Sequence, residues 1–376
     1  MTTYRDETDR TPTVCDRIRV DIGVRGYEVV VQDGLLDHIG EFLVPFKLGP
    51  ETVVVTNPVV KRHYGTRVVH SMRAVGLKPA VLTLPDGERT KSLRRVARVL
   101  EELLRRRYER KAWLVALGGG VIGDLAGFAA SIYLRGVPFV QVPTTLVAQV
   151  DASIGGKTGV NHLLGKNLIG TFYQPKLVLI DPGALRTLPT REYRSGLAEV
   201  IKYGVIEDAE FFEFLERDMD SIMKLEPTAL HRVIRTSCAI KAAVVSEDER
   251  EGDRRRILNF GHTVGHALET LGGYRQYKHG EAVAIGMVVA ARLAERLGLA
   301  DASVGTRIRA LVERTRLPAD LPPYSTSALI RAMRQDKKVQ DRRIHFVLPD
   351  RIGHVVVRPV EEPEIQRALA ACQPST

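Results

Sequence analysis

The sequence predicts an α/β domain followed by a mainly α-helical one. Short apolar runs alternate with helical patterns from about residue 17 to 185, and after Asp181-Pro182 long segments of helical period take over. The length supports the division, because 376 residues exceed the size at which a single core keeps growing.

Residues 1–16 are polar and read as a mobile tail. Beyond them, IRVDI, YEVVV, TVVVT, AVLTL, AWLVAL, FVQVP and LVLI read as strands, and the segments near 35–43, 58–74 and 91–108 as helices. Strands alternating with helices predict a mostly parallel sheet covered on both faces. In the second half REYRSGLAEVIKYGVI, AEFFEFLERDMDSIMKL, ALHRVIRTSCAIKAAVVSEDE, HTVGHALETL, EAVAIGMVVAARLAERLGL and TRIRALVERTRL carry helical periodicity. Only 343–348 and 354–358 look like late strands. The expected division is therefore 1–16, 17–187 and 188–376.

Apolar residues make up 44%, charged residues 27% and aromatics 6%, which suits a soluble globular enzyme. No apolar run is long enough to span a bilayer and the start MTTYRDETDR has no signal-peptide pattern, so the expected location is the cytoplasm. Cys15, Cys238 and Cys372 lie far apart without CxxC spacing, which suits reduced thiols. The net charge of +10 owes much to Arg94, Arg95, Arg98, Arg105, Arg106, Arg107 and Arg110. These share a helix with an apolar stripe of Leu93, Val96, Val99, Leu100 and Leu103, so they read as a solvated face. No aromatics interleave with them to stack on bases, which argues against nucleic acid.

The strand ending at Leu117 runs into Gly118-Gly-Gly-Val-Ile-Gly-Asp-Leu-Ala-Gly127. Gly118, Gly120 and Gly123 fit GxGxxG between strand and helix, where the backbone can approach a pyrophosphate. This makes the α/β half Rossmann-like. The acid expected roughly 20 residues on is missing, since the next strand ends Gln141-Val-Pro-Thr-Thr145. Either no dinucleotide binds or another segment, such as Asp86–Lys91, holds the ribose. The stretches 151–157 and 165–170 set Lys157 and Lys166 beside glycines, as phosphate capture needs, without Walker spacing.

His262 and His266 are one helical turn apart. A metalloprotease helix carries Glu directly after its first His, and Thr263 stands there instead. Candidate partners for His262 are Glu199 and His279, which would leave an open position for substrate, with His266 free to move a proton. Three histidines of ten fall within 18 residues, beside Asn259, Lys278 and Glu281, which favours a site over packed imidazoles.

The runs GGGVIGDLAGF, RGVPFVQVPTTLVAQVDASIGGKTGVNHLLGKNLIG, SGLAEVIKYG, ILNFGHTVGHALE, HGEAVAIGM and DKK, in that order from roughly 84 to 340, closely resemble 3-dehydroquinate synthase, of the sugar-phosphate cyclases. The resemblance implies a homodimeric cytoplasmic lyase of the shikimate pathway. It would convert 3-deoxy-D-arabino-heptulosonate 7-phosphate to 3-dehydroquinate and phosphate with bound NAD and zinc or cobalt. It assigns 17–187 to NAD and 188–376 to metal and substrate.

By the same resemblance Glu199, His262 and His279 are the metal ligands and His266 lies near the reacting centre. The cofactor residues are Asp86, Gly87, Glu88, Arg89, Thr90, Lys91, Gly120, Val121, Ile122, Gly123, Asp124, Thr144, Thr145, Lys157, Lys166, Ala184, Leu185, Arg186 and Thr187. Asp151, Lys157, Lys202, Lys241, Arg255 and Asn259 match the substrate pocket, and Arg255 is expected to grip a carboxylate. The DKK run offers Lys337 and Lys338, and the resemblance does not decide between them; Lys338 is carried forward as the pocket candidate. Rival readings are cyclases making 2-deoxy-scyllo-inosose or valiolone isomers, an amino-sugar variant, the metal-dependent alcohol and glycerol dehydrogenases, and a catalytically silent basic scaffold.

Overall fold

The structure, a computed structural model, describes residues 15–47, 49–335, 339–340 and 343–373. The expected tail lies outside the described residues except Cys15 and Asp16, which begin a strand, and Lys337 and Lys338 also lie outside them.

The chain forms two compact units. One runs up to Val20 and takes in Arg25–Thr144 and Gly156–Arg186; the other takes in Asp21–Val24, Thr145–Gly155 and the chain from Thr187 on. Thr145–Gly155 thus belongs with the helical unit although it precedes residue 188 in sequence.

The first unit is built on β1 (Cys15–Val20), β2 (Tyr27–Gln32), β3 (Glu51–Thr56), β4 (Lys78–Thr83), β5 (Trp113–Gly118), β6 (Phe139–Pro143), β7 (Lys157–His162), β8 (Gly165–Phe172) and β9 (Leu177–Ile180). Seven of them form one sheet in the order β1-β2-β9-β6-β5-β3-β4. All its pairings are parallel except β1 with β2. The β-branched run of β3 shows why both faces are covered. Val53 and Val55 join a core with Val96, Val99 and Leu125, while Val54 joins another with Val68, Met72 and Val140. In the helix Leu93–Arg105, Val96, Val99 and Leu103 are buried, but Leu93 is 49% exposed. Leu93 is the first residue of the helix.

β5 neighbours both β3 and β6, so the strand order reverses between β3 and β5. In open α/β sheets ligands bind beyond the strand ends at such a point. Here β5 ends in the glycine turn, which enters the helix Gly120–Ile132.

β7 and β8 pair as a separate antiparallel hairpin, where the sequence reading saw only glycine–lysine loops. Gly159 and Gly170 explain the difference. A Cβ on Gly159 would lie 2.5 Å from the Ile169 carbonyl, and one on Gly170 would lie 2.1 Å from that of Thr158. These glycines allow close backbone approach across the pair.

The second unit contains the helices Thr190–Ile206, Ala209–Met223, Pro227–Glu247, His262–Leu271, His279–Arg296 and Ala302–Arg314, as the periodicity predicts. Two ten-residue helices, Thr326–Gln335 and Glu362–Ala371, escaped it. A small antiparallel sheet joins Val339–Gln340, Arg343–Arg351 and His354–Val360. No helix among the described residues is long and apolar enough to cross a membrane.

Candidate active site

Three helices of the second unit meet at glycines. A Cβ on Gly280 would lie 1.8 Å from the Ser195 carbonyl, and one on Gly286 would lie 1.9 Å from that of Gly261. Ser195 Oγ also accepts the Gly280 N–H at 2.9 Å. Gly261 sits at φ 79 immediately before His262, so it is glycine both for its conformation and for the lack of space. These contacts bring Glu199, one turn beyond Ser195, to His279 and His262.

One donor atom from each of Glu199, His262 and His279 lies within 4.8 Å of the others. Nε2 of His279 is 3.0 Å from Glu199 Oε1, and Nε2 of His262 is 3.5 Å from the same oxygen. His262 Nδ1 lies 3.0 Å from the Phe260 carbonyl. A carbonyl only accepts, so Nδ1 carries the proton and Nε2 keeps its lone pair inward. His279 Nδ1 faces the Glu269 carboxylate at 3.6 Å. Imidazole ligands held from behind by a carbonyl and a carboxylate, plus one carboxylate oxygen, fit zinc or cobalt better than magnesium or calcium. His266 packs edge-on to His262, with ring centroids 5.4 Å apart, and its centroid is 6.4 Å from that of His279. Glu281 lies apart from the triad, taking Arg191 Nε at 2.6 Å and the Lys278 N–H at 2.8 Å, while Lys278 pairs with Glu192.

Beside the triad is a buried charge cluster. Glu199 is 0% exposed and its Oε2 accepts from Lys202, which is 1% exposed. Lys202 also approaches Asp151 Oδ1 at 3.4 Å, and Lys241 reaches that oxygen at 2.8 Å and the Asp151 carbonyl at 2.5 Å. Burial works to raise the Glu199 carboxyl, but Lys202, His262 and His279 together outweigh it and the net shift is downward. Asp151 is held well below the usual range, where Lys241 and Lys202 overcome the opposing effect of burial. Lys241 is lowered to about 8, first by burial and then by repulsion from Lys202 and Arg255, with Asp151 partly opposing. His279 is raised to about 10, because the carboxylates of Glu199 and Glu269 outweigh burial, which would lower it.

Arg255 is 1% exposed. Its guanidinium donates to the carbonyls of Gly155, at 3.0 Å, and Glu249. The structure thus shows this arginine bracing two backbone segments in addition to any fork it offers a carboxylate. Asn259 donates to Glu251 at 3.1 Å. Arg254 pairs with Glu207 and Glu247 near the surface.

Most candidate cofactor residues of the first unit follow the ends of β4, β5, β6 and β9. Asp86 accepts from Asn57 at 2.8 Å, and Glu88 from Asn161 at 2.7 Å. Lys91 is buried and donates to Asp124 and Asn167. Gly87 has φ 91, Arg89 is exposed, and Thr90 donates to the Pro85 carbonyl. Gly120, Val121, Ile122 and Gly123 form the first turn of the helix behind β5. A Cβ on Gly123 would lie 2.6 Å from Gln141 Oε1, so the helix is set tightly on the sheet. The N–H of Thr144 donates to the Gly118 carbonyl, and its buried hydroxyl has no partner among the described residues. That orphan beside the glycine turn, with the close-packed helix N-terminus, fits a dinucleotide phosphate. Lys157 opens β7 and Lys166 lies in β8. Ala184 and Leu185 are buried, the Ala184 carbonyl accepting from Tyr64, and Arg186 is exposed. Thr145 and Thr187 belong to the second unit, where Thr145 Oγ1 accepts the Ala148 N–H.

Sequence reasoning passed over Glu269 and Tyr203. The one signal for each is spacing: Glu269 falls seven residues after His262, and Tyr203 four after Glu199.

The sheet and the triad define the class: a Rossmann-like α/β unit and a helical unit with a candidate metal centre. The family models for the N-terminal and C-terminal parts of 3-dehydroquinate synthase match residues 81–195 and 196–339. The 3-dehydroquinate synthase of Nostoc punctiforme is 50% identical over 343 residues, covering 90% of this chain and 94% of its own. A 2-epi-5-epi-valiolone synthase from Streptomyces hygroscopicus subsp. jinggangensis, solved with NAD+ and Zn2+ bound, superposes with a TM-score of 0.85 at 32% identity, covering 92% of this chain and 96% of its own. A 2-deoxy-scyllo-inosose synthase complexed with carbaglucose-6-phosphate, NAD+ and Co2+ gives 0.87 at 26%, covering 96% and 100%. The chain belongs to the 3-dehydroquinate synthase family.

Proposed function

We propose that this chain converts 3-deoxy-D-arabino-heptulosonate 7-phosphate to 3-dehydroquinate and phosphate, in the shikimate pathway. The observation that carries the reading is 50% identity to a 3-dehydroquinate synthase across nine-tenths of the chain, with a chemically suitable metal triad in place. The two solved cyclases with other products are 32% and 26% identical. A catalytically silent scaffold would have no need of the buried charges at Glu199, Lys202 and Asp151, which are costly to keep.

NAD and a divalent metal, when bound, supply reversible hydride transfer and polarisation of a substrate oxygen. Glu199, His262 and His279 would hold the metal, and the segments 86–91 and 120–124, with Thr144, Thr145, Lys157, Lys166 and 184–187, would hold NAD. In this reading the chain's own residues do the rest. Lys202 and Lys241 provide positive charge for an anionic substrate, and Asp151 accepts a hydroxyl. His266 moves a proton, and Asn259, Arg255 and Lys338 complete the pocket. Burial of the cluster keeps these charges effective by limiting screening. The chain is further proposed to act as a cytoplasmic homodimer.

The test is phosphate release from the heptulosonate phosphate. Stripping NAD and metal should stop it, and catalytic amounts of NAD should restore it without NADH accumulating in step with product. Stoichiometric NADH would favour a dehydrogenase. Equal turnover of sedoheptulose 7-phosphate would favour a valiolone-type cyclase.

A further inference from the structure

Asp151 holds its side chain in an uneven way. All the contacts made to its carboxylate by described residues fall on Oδ1: Tyr203 Oη at 2.8 Å, Lys241 Nζ at 2.8 Å and Lys202 Nζ at 3.4 Å. Oδ2 receives none from the described residues, yet the side chain keeps 27% of its surface exposed. The Asp151 backbone is fixed as well, since its carbonyl accepts from Lys241.

Tyr203 shares the helix Thr190–Ile206 with Glu199 and Lys202, four and one residues before it, and is completely buried. Packing alone would be met by phenylalanine. The hydroxyl instead reaches Asp151 Oδ1 and, at 3.0 Å, the Val150 carbonyl, and Lys202 Nζ lies 4.9 Å from the ring centroid. Val150 and Asp151 lie in the π-helical turn Ala148–Ala152, a form of backbone frequent at functional sites. Burial raises the phenol well above its usual range, so it remains a donor throughout the working pH range.

We propose that Tyr203 is a positioning residue: with Lys202 and Lys241 it pins Oδ1 of Asp151 and so presents Oδ2 as the acceptor for one substrate hydroxyl. The inference rests on the functional reading above for the substrate class, a polyhydroxylated sugar phosphate. It adds a determinant of hydroxyl specificity that does not itself touch substrate.

The test uses the full chain loaded with metal and NAD. Calorimetry measures the binding of carbaglucose 6-phosphate and of a carbocyclic heptulosonate phosphate, each with and without single hydroxyls. In the wild type, loss of one particular hydroxyl should weaken binding about tenfold or more, as expected for a hydrogen bond to a charged group. In Tyr203→Phe that one penalty should shrink at least about threefold, while penalties at the other hydroxyls and the metal content hold. Asp151→Asn should lose the same penalty, and adding Tyr203→Phe to it should change nothing further. Uniform weakening across all ligands, an unchanged penalty, or a wild type without any selective penalty would overturn the proposal. Should Tyr203→Phe not fold, Asp151→Asn decides: full retention of the penalty rejects it, and selective loss supports the Oδ2 contact on which it depends. Turnover is scored separately. Selective binding without turnover of the heptulosonate phosphate removes the functional reading and leaves the pinning intact.

Discussion

Nε2 of His279 lies 3.0 Å from Oε1 of Glu199. In the metal-free protein that nitrogen carries a proton, because the His279 pKa is raised to about 10 by carboxylates that outweigh burial. A metal must displace the proton to use the same nitrogen. Metal binding should therefore release a proton and tighten by about tenfold per pH unit between pH 6 and 8. Calorimetry in buffers of different ionisation enthalpy reads the proton count directly. Equal affinity at both ends of that range would contradict the raised pKa.

Glu269 never reaches the metal position, but it faces His279 Nδ1 at 3.6 Å. Carboxylates behind a ligating imidazole fix its orientation and basicity. Glu269→Gln should lose about 10–100-fold in zinc affinity with the fold retained. Mass spectrometry after dialysis against a chelator distinguishes this from wild-type retention.

Lys241 gives a second dependence on pH, of opposite sense. Its folded pKa is lowered to about 8, with burial the largest cause, so the ammonium becomes a neutral amine while an ordinary lysine would still be charged. Affinity for an anionic substrate should fall as pH rises through about 8, chiefly in KM. Because the folded pKa lies below the unfolded one, the site also adds stability as pH rises from about 8 towards 10.4. Lys241→Arg should remove the alkaline limb of the KM profile. An unchanged limb would assign it to another group.

Arg255 and Arg254 stand side by side with opposite expectations. Arg255 spans the Gly155 and Glu249 carbonyls from a buried position through two separate guanidinium nitrogens, a planar fork that the point charge of a lysine ammonium does not reproduce. Arg255→Lys should cost about 2–3 kcal/mol of stability in addition to any loss of catalysis. Arg254→Ala breaks pairs that are partly solvated, and should change stability by less than about 1 kcal/mol. Urea denaturation of the two variants makes the comparison.

Gly155 tests the same brace from the other side. Its φ is +100, and an added Cβ would lie 2.2 Å from the Arg255 guanidinium. Gly155→Ala should lower stability by roughly 1–3 kcal/mol from backbone strain alone. The melting temperature of the variant checks this, and a wild-type value would mean the turn has room to relax.

Six strands of the main sheet were legible as compact apolar runs, as in TVVVT and AWLVAL, and β1 by the alternation of IRVDI. The β7–β8 hairpin was not, since Gly159 and Gly170 lack the side chains from which a period of two is read. In the site, His262 and His279 stood out by clustering, whereas Glu199, more than sixty residues away, was one candidate carboxylate that the family motif then assigned. Tyr203 looked like any aromatic on an apolar helix face. Its hydroxyl acquires meaning only when the Ala148–Ala152 turn is folded against it. Arg255 was expected as a carboxylate fork, but the carbonyls it braces belong to residues whose own side chains carry no signal.

Where Gly280 meets Ser195 and Gly286 meets Gly261, the contact is between main chains, with no rotamer interposed. The separations of Glu199, His262 and His279 are consequently calibrated by the van der Waals radii of main-chain atoms, which do not drift when neighbouring side chains repack. Extensive redesign of the surrounding apolar residues should leave the triad in register. One methyl group at either glycine would shift a whole helix, and all the chemistry mounted on it.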